Sequence, residues 1–150
     1  MKSRICIALL ALGSLLPATM LADYTTDEDG NEQDVLIILT SEERETRGMA
    51  MVLASAMAEQ GARLHVLLCD SAGELGLKDY RTEEALAPRG MRPEQLLQRL
   101  QEGGAQVEVC ALFLPNRDLD ASALRDGVGT AMPPEIAARM LDAHTRVFSF

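Results

Sequence analysis

Several common chemistries lack their signatures in this 150-residue chain. The run after the first strand-like segment is TSEERETRG, with neither G-x-G-x-x-G nor G-x-x-x-x-G-K. Glu42, Glu43 and Glu45 within it would repel a phosphate, so nucleotide binding at this turn is excluded. There is no G-x-S-x-G elbow, and His65 and His144 are the only imidazole bases. The carboxylates form no identifiable pair, and the absence of C-x-x-C excludes a self-contained thioredoxin-type dithiol. Basic residues are also short, 14 against 23 acidic, which leaves no electrostatic footprint for nucleic acid or anionic lipid. No internal repeat is visible.

What is present begins with an export pattern. Lys2 and Arg4 precede an apolar run from Ile5 to Leu16, and Ala22 stands before Asp23 with Met20 at the minus-three position. Residues 1–22 therefore read as a secretory signal peptide. The run is shorter than the roughly 20 residues that span a bilayer, so no membrane association is expected after cleavage. Cys6 lies inside the run and leaves with it. Cleavage removes two basic residues and no acidic ones, which leaves 128 residues with a net charge of −11. That length suits one domain with a core that needs no staples. A periplasmic or secreted location is expected.

Residues 23–33, DYTTDEDGNEQ, are polar and acidic without an apolar period, and read as a flexible lead. From Asp34 to Phe150 strand and helix patterns alternate. Val35 to Leu39 is a continuous aliphatic run, as in a strand buried on both faces of a parallel sheet. Thr40 or Ser41 caps a helix whose inward face would be Met49, Val52, Leu53, Ala56 and Met57, ending at Gly61. Because Met49 to Ala58 is apolar nearly all round, a second apolar contact is expected, with another subunit as its source.

Arg63 to Cys69 is the second strand, with His65 packed or wet within it. Asp70 to Arg92 is too long for a bare connection, and predicts a short helix around Thr82 to Leu86 or a lid. Pro93 opens a helix with Leu96, Leu97 and Leu100 inward, and Gly103-Gly104 ends it. Gln106 to Pro115 holds the third strand. Asp118, Asp120 and Ser122 can cap a short helix through Arg125, Val128 to Ala131 is a fourth strand, and Pro133-Pro134 opens a helix faced by Ile136, Ala137, Met140 and Leu141. Arg146 to Phe150 is the terminal strand. The alternation predicts an α/β fold, a three-layer α/β/α sandwich around a mainly parallel sheet of about five strands.

The third strand delivers Cys110 to the edge where ligands gather in open α/β sheets, beyond the carboxyl ends of parallel strands. Cys110 is the candidate nucleophile. Its thiolate would attack a sulfane sulfur, hold it as a persulfide and yield the outer sulfur to a partner's thiolate. Asn116 and Arg117, in the loop just after, are the candidate binding residues, and Arg117 is the nearest cation in sequence. A helix start aimed at Cys110 would favour the thiolate. Cys69 is the second thiol. A Cys69–Cys110 disulfide would close a loop of about 40 residues and stabilise the fold by about 4 kcal/mol. Adjacent strands, about 4.8 Å apart, permit the bridge; an intervening strand, giving about 10 Å, exceeds the roughly 7 Å limit. Strand order is not legible in one chain, so both states stand. Buried, unreactive Cys110 is the plain alternative. A soft-metal site of Cys110, Cys69 and Met91 or Met132 ranks lowest, and neither a metal nor a cofactor is called for.

The segment GAQVEVCALFLPN, followed by DLDASALRDGVGTA, the PPEIAARML helix and the terminal VFSF, resembles the DsrE-like sulfur-relay family over most of residues 34–150. The resemblance implies an α/β sandwich, homo- or hetero-oligomeric assembly, and a persulfide-carrying cysteine after a central strand, the position Cys110 occupies. Cytoplasmic relay members feed sulfur to tRNA modification or sulfite-reductase systems, and an exported acidic chain is excluded from the tRNA task. The expectation is an exported sulfur carrier, at most a persulfide transferase, with a sulfur donor or acceptor protein as partner. The rival is a non-catalytic oligomeric binding or assembly module on the same fold.

Overall fold

The computed structural model describes residues 32–150. The expected signal peptide and nearly all of the acidic lead lie outside the described residues. Gln33, at the end of that lead, is already tied down: its carbonyl accepts from the Arg63 N–H at 3.0 Å, and its side-chain amide donates to the His144 carbonyl at 2.6 Å.

Five strands form one sheet: β1 (Asp34–Leu39), β2 (Arg63–Leu68), β3 (Gln106–Cys110), β4 (Val128–Ala131) and β5 (Thr145–Ser149), in the order β4-β3-β2-β1-β5. Every pairing is parallel. The chain steps outward from β1 to β4 and then returns to β1's free side with β5. Three α-helices connect the strands: α1 (Arg44–Glu59), α2 (Pro93–Glu102) and α3 (Pro133–Leu141). The fold is the expected α/β architecture.

Period-two alternation divides the strand residues between two layers. Val35, Ile37, Leu39, Leu64, Val66, Leu68, Val107 and Val109 pack with Met51 and Ala54 of α1 and Leu97 and Leu100 of α2. The other face carries a much smaller cluster, Leu36, Leu67 and Ala131 beneath Ile136 of α3. The site lies on this thinly covered side.

The structure corrects the inward face of α1. Arg47, Gly48, Ala50, Met51 and Ala54 are buried, whereas Met49, Val52 and Leu53 are 55%, 50% and 41% exposed. Small residues decide it, because a Cβ at Gly48 would collide with Leu86, and Gly48, Ala50 and Ala54 let the helix approach closely. Apolarity all round the helix hid the choice. In α3 likewise only Ile136 is buried, while Met140 and Leu141 are exposed. Neither Thr40 nor Ser41 is the cap: Glu43 precedes the first helical residue, Arg44, without a side-chain cap bond, and the Ser41 Oγ accepts from the Glu43 N–H at 3.1 Å in the turn before it.

The long connection also differs from expectation. Its helical part is a 3-10 turn at Asp70–Gly76, not a helix at Thr82–Leu86. Ala72 and Leu75 of that turn enter the α1–α2 core. Three buried or part-buried side chains hold the rest. Arg47 donates to the Ser41 carbonyl and the Tyr80 hydroxyl, each at 2.7 Å; buried Glu94 accepts from Thr82 Oγ1 at 2.7 Å; Arg125 donates to the Leu75 and Tyr80 carbonyls at 2.9 and 2.7 Å. These bonds satisfy loop carbonyls that burial would otherwise leave unpaired.

Candidate functional site

Gly103 and Gly104, the latter at φ +98, end α2 and turn the chain into β3. Along β3, Val107 and Val109 face the α1–α2 core, so alternation aims Glu108 and Cys110 at the α3 side. Cys110 is the last residue of the strand and pairs with Ala131. Its carbonyl accepts from the Phe113 N–H at 2.9 Å, which turns the chain off the sheet at once and leaves the thiol partly exposed. Leu112, two residues on, and Met132, which follows the register partner Ala131, are 70% and 54% exposed.

Strand order brings Cys69 to the same place. β2 and β3 are neighbours, and their last register pair is Leu68 with Val109, so the next step sets Cys69 beside Cys110. Cys69 continues the extended path at φ −121, ψ 163, and donates its N–H to the Leu39 carbonyl at 2.9 Å. Asp70, at φ 48, then bends the chain away. No strand intervenes between the two cysteines, and neighbouring backbones about 4.8 Å apart lie within disulfide reach. Both thiols are free and partly exposed. Burial pushes the Cys69 thiol up to about 12, and hydrogen bonding with Cys110 adds to the shift. Cys69 therefore keeps its proton at neutral pH.

The loops after the two strands are locked together. Gly73 packs so closely under Phe113 that a Cβ there would run into the ring. The Arg117 guanidinium lies over the same ring, 4.2 Å from its centre, and reaches the Asp70 carbonyl at 3.4 Å. Arg117 thus ties the Cys110 loop to the residue after Cys69. Asn116 serves its own turn, donating to the Leu112 carbonyl at 2.8 Å. The helix expected through Arg125 is a single turn, Ala121–Ala123, capped by Asp120, which accepts from the Ser122 N–H at 2.7 Å. So short a turn supplies no helix dipole to a thiolate.

At the opposite, amino end of the strands lies a cleft of about 410 Å³ lined by Asp34, Arg63, His65, Gln106 and Arg139 among others. Sequence reasoning missed the pair beside it: His65 Nε2 sits 2.8 Å from Glu108 Oε2, off the line along which a ring N–H donates well, and Nδ1 has no partner. Burial, then the Arg139 charge, lowers the His65 pKa, and Glu108 only partly opposes them. Alternation placed both residues on one face, but pairing them needed the strand order. Gly129 leaves the room that the Glu108 side chain fills. His144 lies at the surface against Asp142 Oδ1, 3.3 Å away.

Among the described residues no group of three or more His, Cys, Asp or Glu is arranged to hold a metal, and no helix is long and apolar enough to cross a membrane. Two adjacent thiols at the carboxyl edge of a parallel sheet can take part in thiol exchange and sulfur transfer; buried His65 lies toward the other end of the strands, so it is not placed to serve them in acyl chemistry.

Order, parallel pairing and helices on both faces define a three-layer α/β sandwich, the architecture that the DsrE-like resemblance implies. Two solved structures share it. The ychN protein from E. coli superposes with a TM-score of 0.66 at 24% identity, over 80% of this chain and 100% of that one. MTH1491 from Methanobacterium thermoautotrophicum, a protein of unknown function, does so with 0.59 at 14% identity, over 79% and 100%. No protein-family model and no curated protein matches the sequence. The likeness holds at the level of the fold.

Proposed function

We propose that this chain is an exported sulfur carrier in which Cys110 holds sulfane sulfur as a persulfide. The observation that carries the reading is the position of Cys110, free and partly exposed on the last residue of a central parallel strand, with the chain turning away immediately after it. In the loading step the Cys110 thiolate attacks the outer sulfur of a donor persulfide; the new S–S bond forms as the donor's own S–S bond breaks, and the donor leaves as a thiolate. In delivery a partner's thiolate attacks that same outer sulfur and Cys110 departs as thiolate. Neither step needs a general base, which suits a site without an imidazole. Arg117 and Asn116 act in this reading by shaping the loop that presents the thiol, and exposed Leu112 and Met132 offer apolar contact to a docking partner.

Mass spectrometry tests the proposal. Protein loaded with a sulfane donor gains a reducible sulfur adduct on Cys110, and Cys110→Ser gains none. Absence of any adduct on both the natural chain and Cys69→Ser under every loading condition sinks the carrier. It would favour the second reading, an oligomeric binding module, which the unpartnered apolar residues Met49, Val52 and Leu53 support independently of the thiols.

A further inference from the structure

Two thiols side by side allow a reaction that one thiol does not. We propose that Cys69 is a resolving residue, which discharges the Cys110 persulfide as hydrosulfide and closes a Cys69–Cys110 disulfide when no acceptor is docked. The inference rests on the carrier reading and adds a fate for the carried sulfur.

The geometry supports it in three ways. The β2–β3 register sets Cys69 and Cys110 side by side, at a backbone spacing that suits a disulfide without movement of the strands. Both side chains pack against the small cluster on the α3 side, Cys110 touching the larger core as well, and alternation aims them the same way. The backbone beneath the pair is also held: Cys69 is bonded to Leu39, Cys110 is paired with Ala131, and Arg117, Phe113 and Gly73 clamp the two following loops. A disulfide here would form between preset partners, and proximity of this kind accelerates an intramolecular attack strongly over a bimolecular one.

Atoms and charge balance in the step. The persulfide anion on Cys110 and the Cys69 thiol are the reactants. The Cys69 sulfur attacks the inner sulfur, Cys110 Sγ; the Cys69–Cys110 bond forms as the bond to the outer sulfur breaks, and the Cys69 proton leaves with that sulfur as hydrosulfide. Cys69 and Cys110 are oxidised to the disulfide, and the sulfane sulfur is reduced. An external dithiol reductant then resets the pair by exchange. The high Cys69 pKa keeps this discharge slow at neutral pH, which leaves time for a docked acceptor to take the sulfur first.

The test loads the natural chain, Cys69→Ser and Cys110→Ser with inorganic polysulfide under anaerobic conditions, removes the donor, and follows intact mass and trapped hydrosulfide over time. The natural chain should lose its one-sulfur adduct, release one hydrosulfide per adduct lost, and end two hydrogens lighter than the reduced protein. Cys69→Ser should keep the adduct at least about tenfold longer and release no hydrosulfide on that timescale. Equal release from both proteins, or a stable adduct on the natural chain, overturns the resolving role and leaves the carrier intact. A stable adduct on Cys69 in Cys110→Ser reverses the two roles and also overturns it. If neither the natural chain nor Cys69→Ser takes up sulfur, the carrier reading falls and the inference with it. Cys69→Ala, checked by circular dichroism, replaces the serine variant should that one fail to fold.

Discussion

A buried imidazole shows how much one residue's environment decides. His65 is 4% exposed, and burial with the Arg139 charge holds its pKa below the ordinary value of 6.5, with Glu108 as the minor opposing partner. As pH falls through 6.5 the unfolded chain takes up a proton that the folded chain refuses, so the unfolded state binds more protons and folding stability declines. We expect denaturation midpoints to be level above pH 6.5 and to drop as pH falls below it, down to the depressed folded value. His65→Gln should flatten that part of the profile. A slope unchanged by the substitution would assign it to other groups. The Cys69 thiol acts in the opposite range: raised from 9.0 to about 12, it should make the fold lose stability across that alkaline window, and Cys69→Ser should remove the loss.

At the scale of the element, α1 tests the assignment of faces. Met51 is fully buried and Met49 is 55% exposed, two residues apart on the same helix. Met51→Ala should cost about 2–5 kcal/mol, because a core cavity is added to the lost transfer energy. Met49→Ala should change stability by less than about 0.5 kcal/mol in the monomer. Urea unfolding of the two variants separates these outcomes, and similar costs would return the inward face to the one that sequence periodicity suggests. That periodicity was readable but ambiguous, since Met49 to Ala58 offers an apolar stripe in almost every direction. Close approach by Gly48 and Ala54 broke the tie, and only the packed neighbours reveal it.

For the whole molecule the question is what covers the apolar surface. Val52 and Leu53 on α1, Met140 and Leu141 on α3, and Val147 and Phe148 on β5 are all exposed. Among the described residues β5 is also an edge strand with one unpaired side, an arrangement that single soluble chains usually blunt. We expect the chain to be a homo-oligomer. Val52→Glu and Phe148→Glu, read by sedimentation velocity, should each lower the assembly state without lowering helix content. A monomeric natural chain at micromolar concentration would refute this expectation.

Sequence alone determined the five strands, the three α-helices and the chemistry on offer, though not the short helical turns between them. Aliphatic runs marked buried parallel strands, glycines and prolines punctuated the helices, the alternation implied a layered α/β fold, and the loop after Cys110 put a thiol at the reactive edge of the sheet. These features are local, set by periodicity and backbone preference over a few residues. Tertiary structure decided everything that depended on which strands are neighbours. Order and register set Cys69 beside Cys110 and His65 beside Glu108, and they directed Arg117 onto Phe113 and Asp70. Except for Arg117 on Phe113, which is local, these contacts join residues more than 40 positions apart, and they arise from the packing of the whole sheet, which no local pattern encodes.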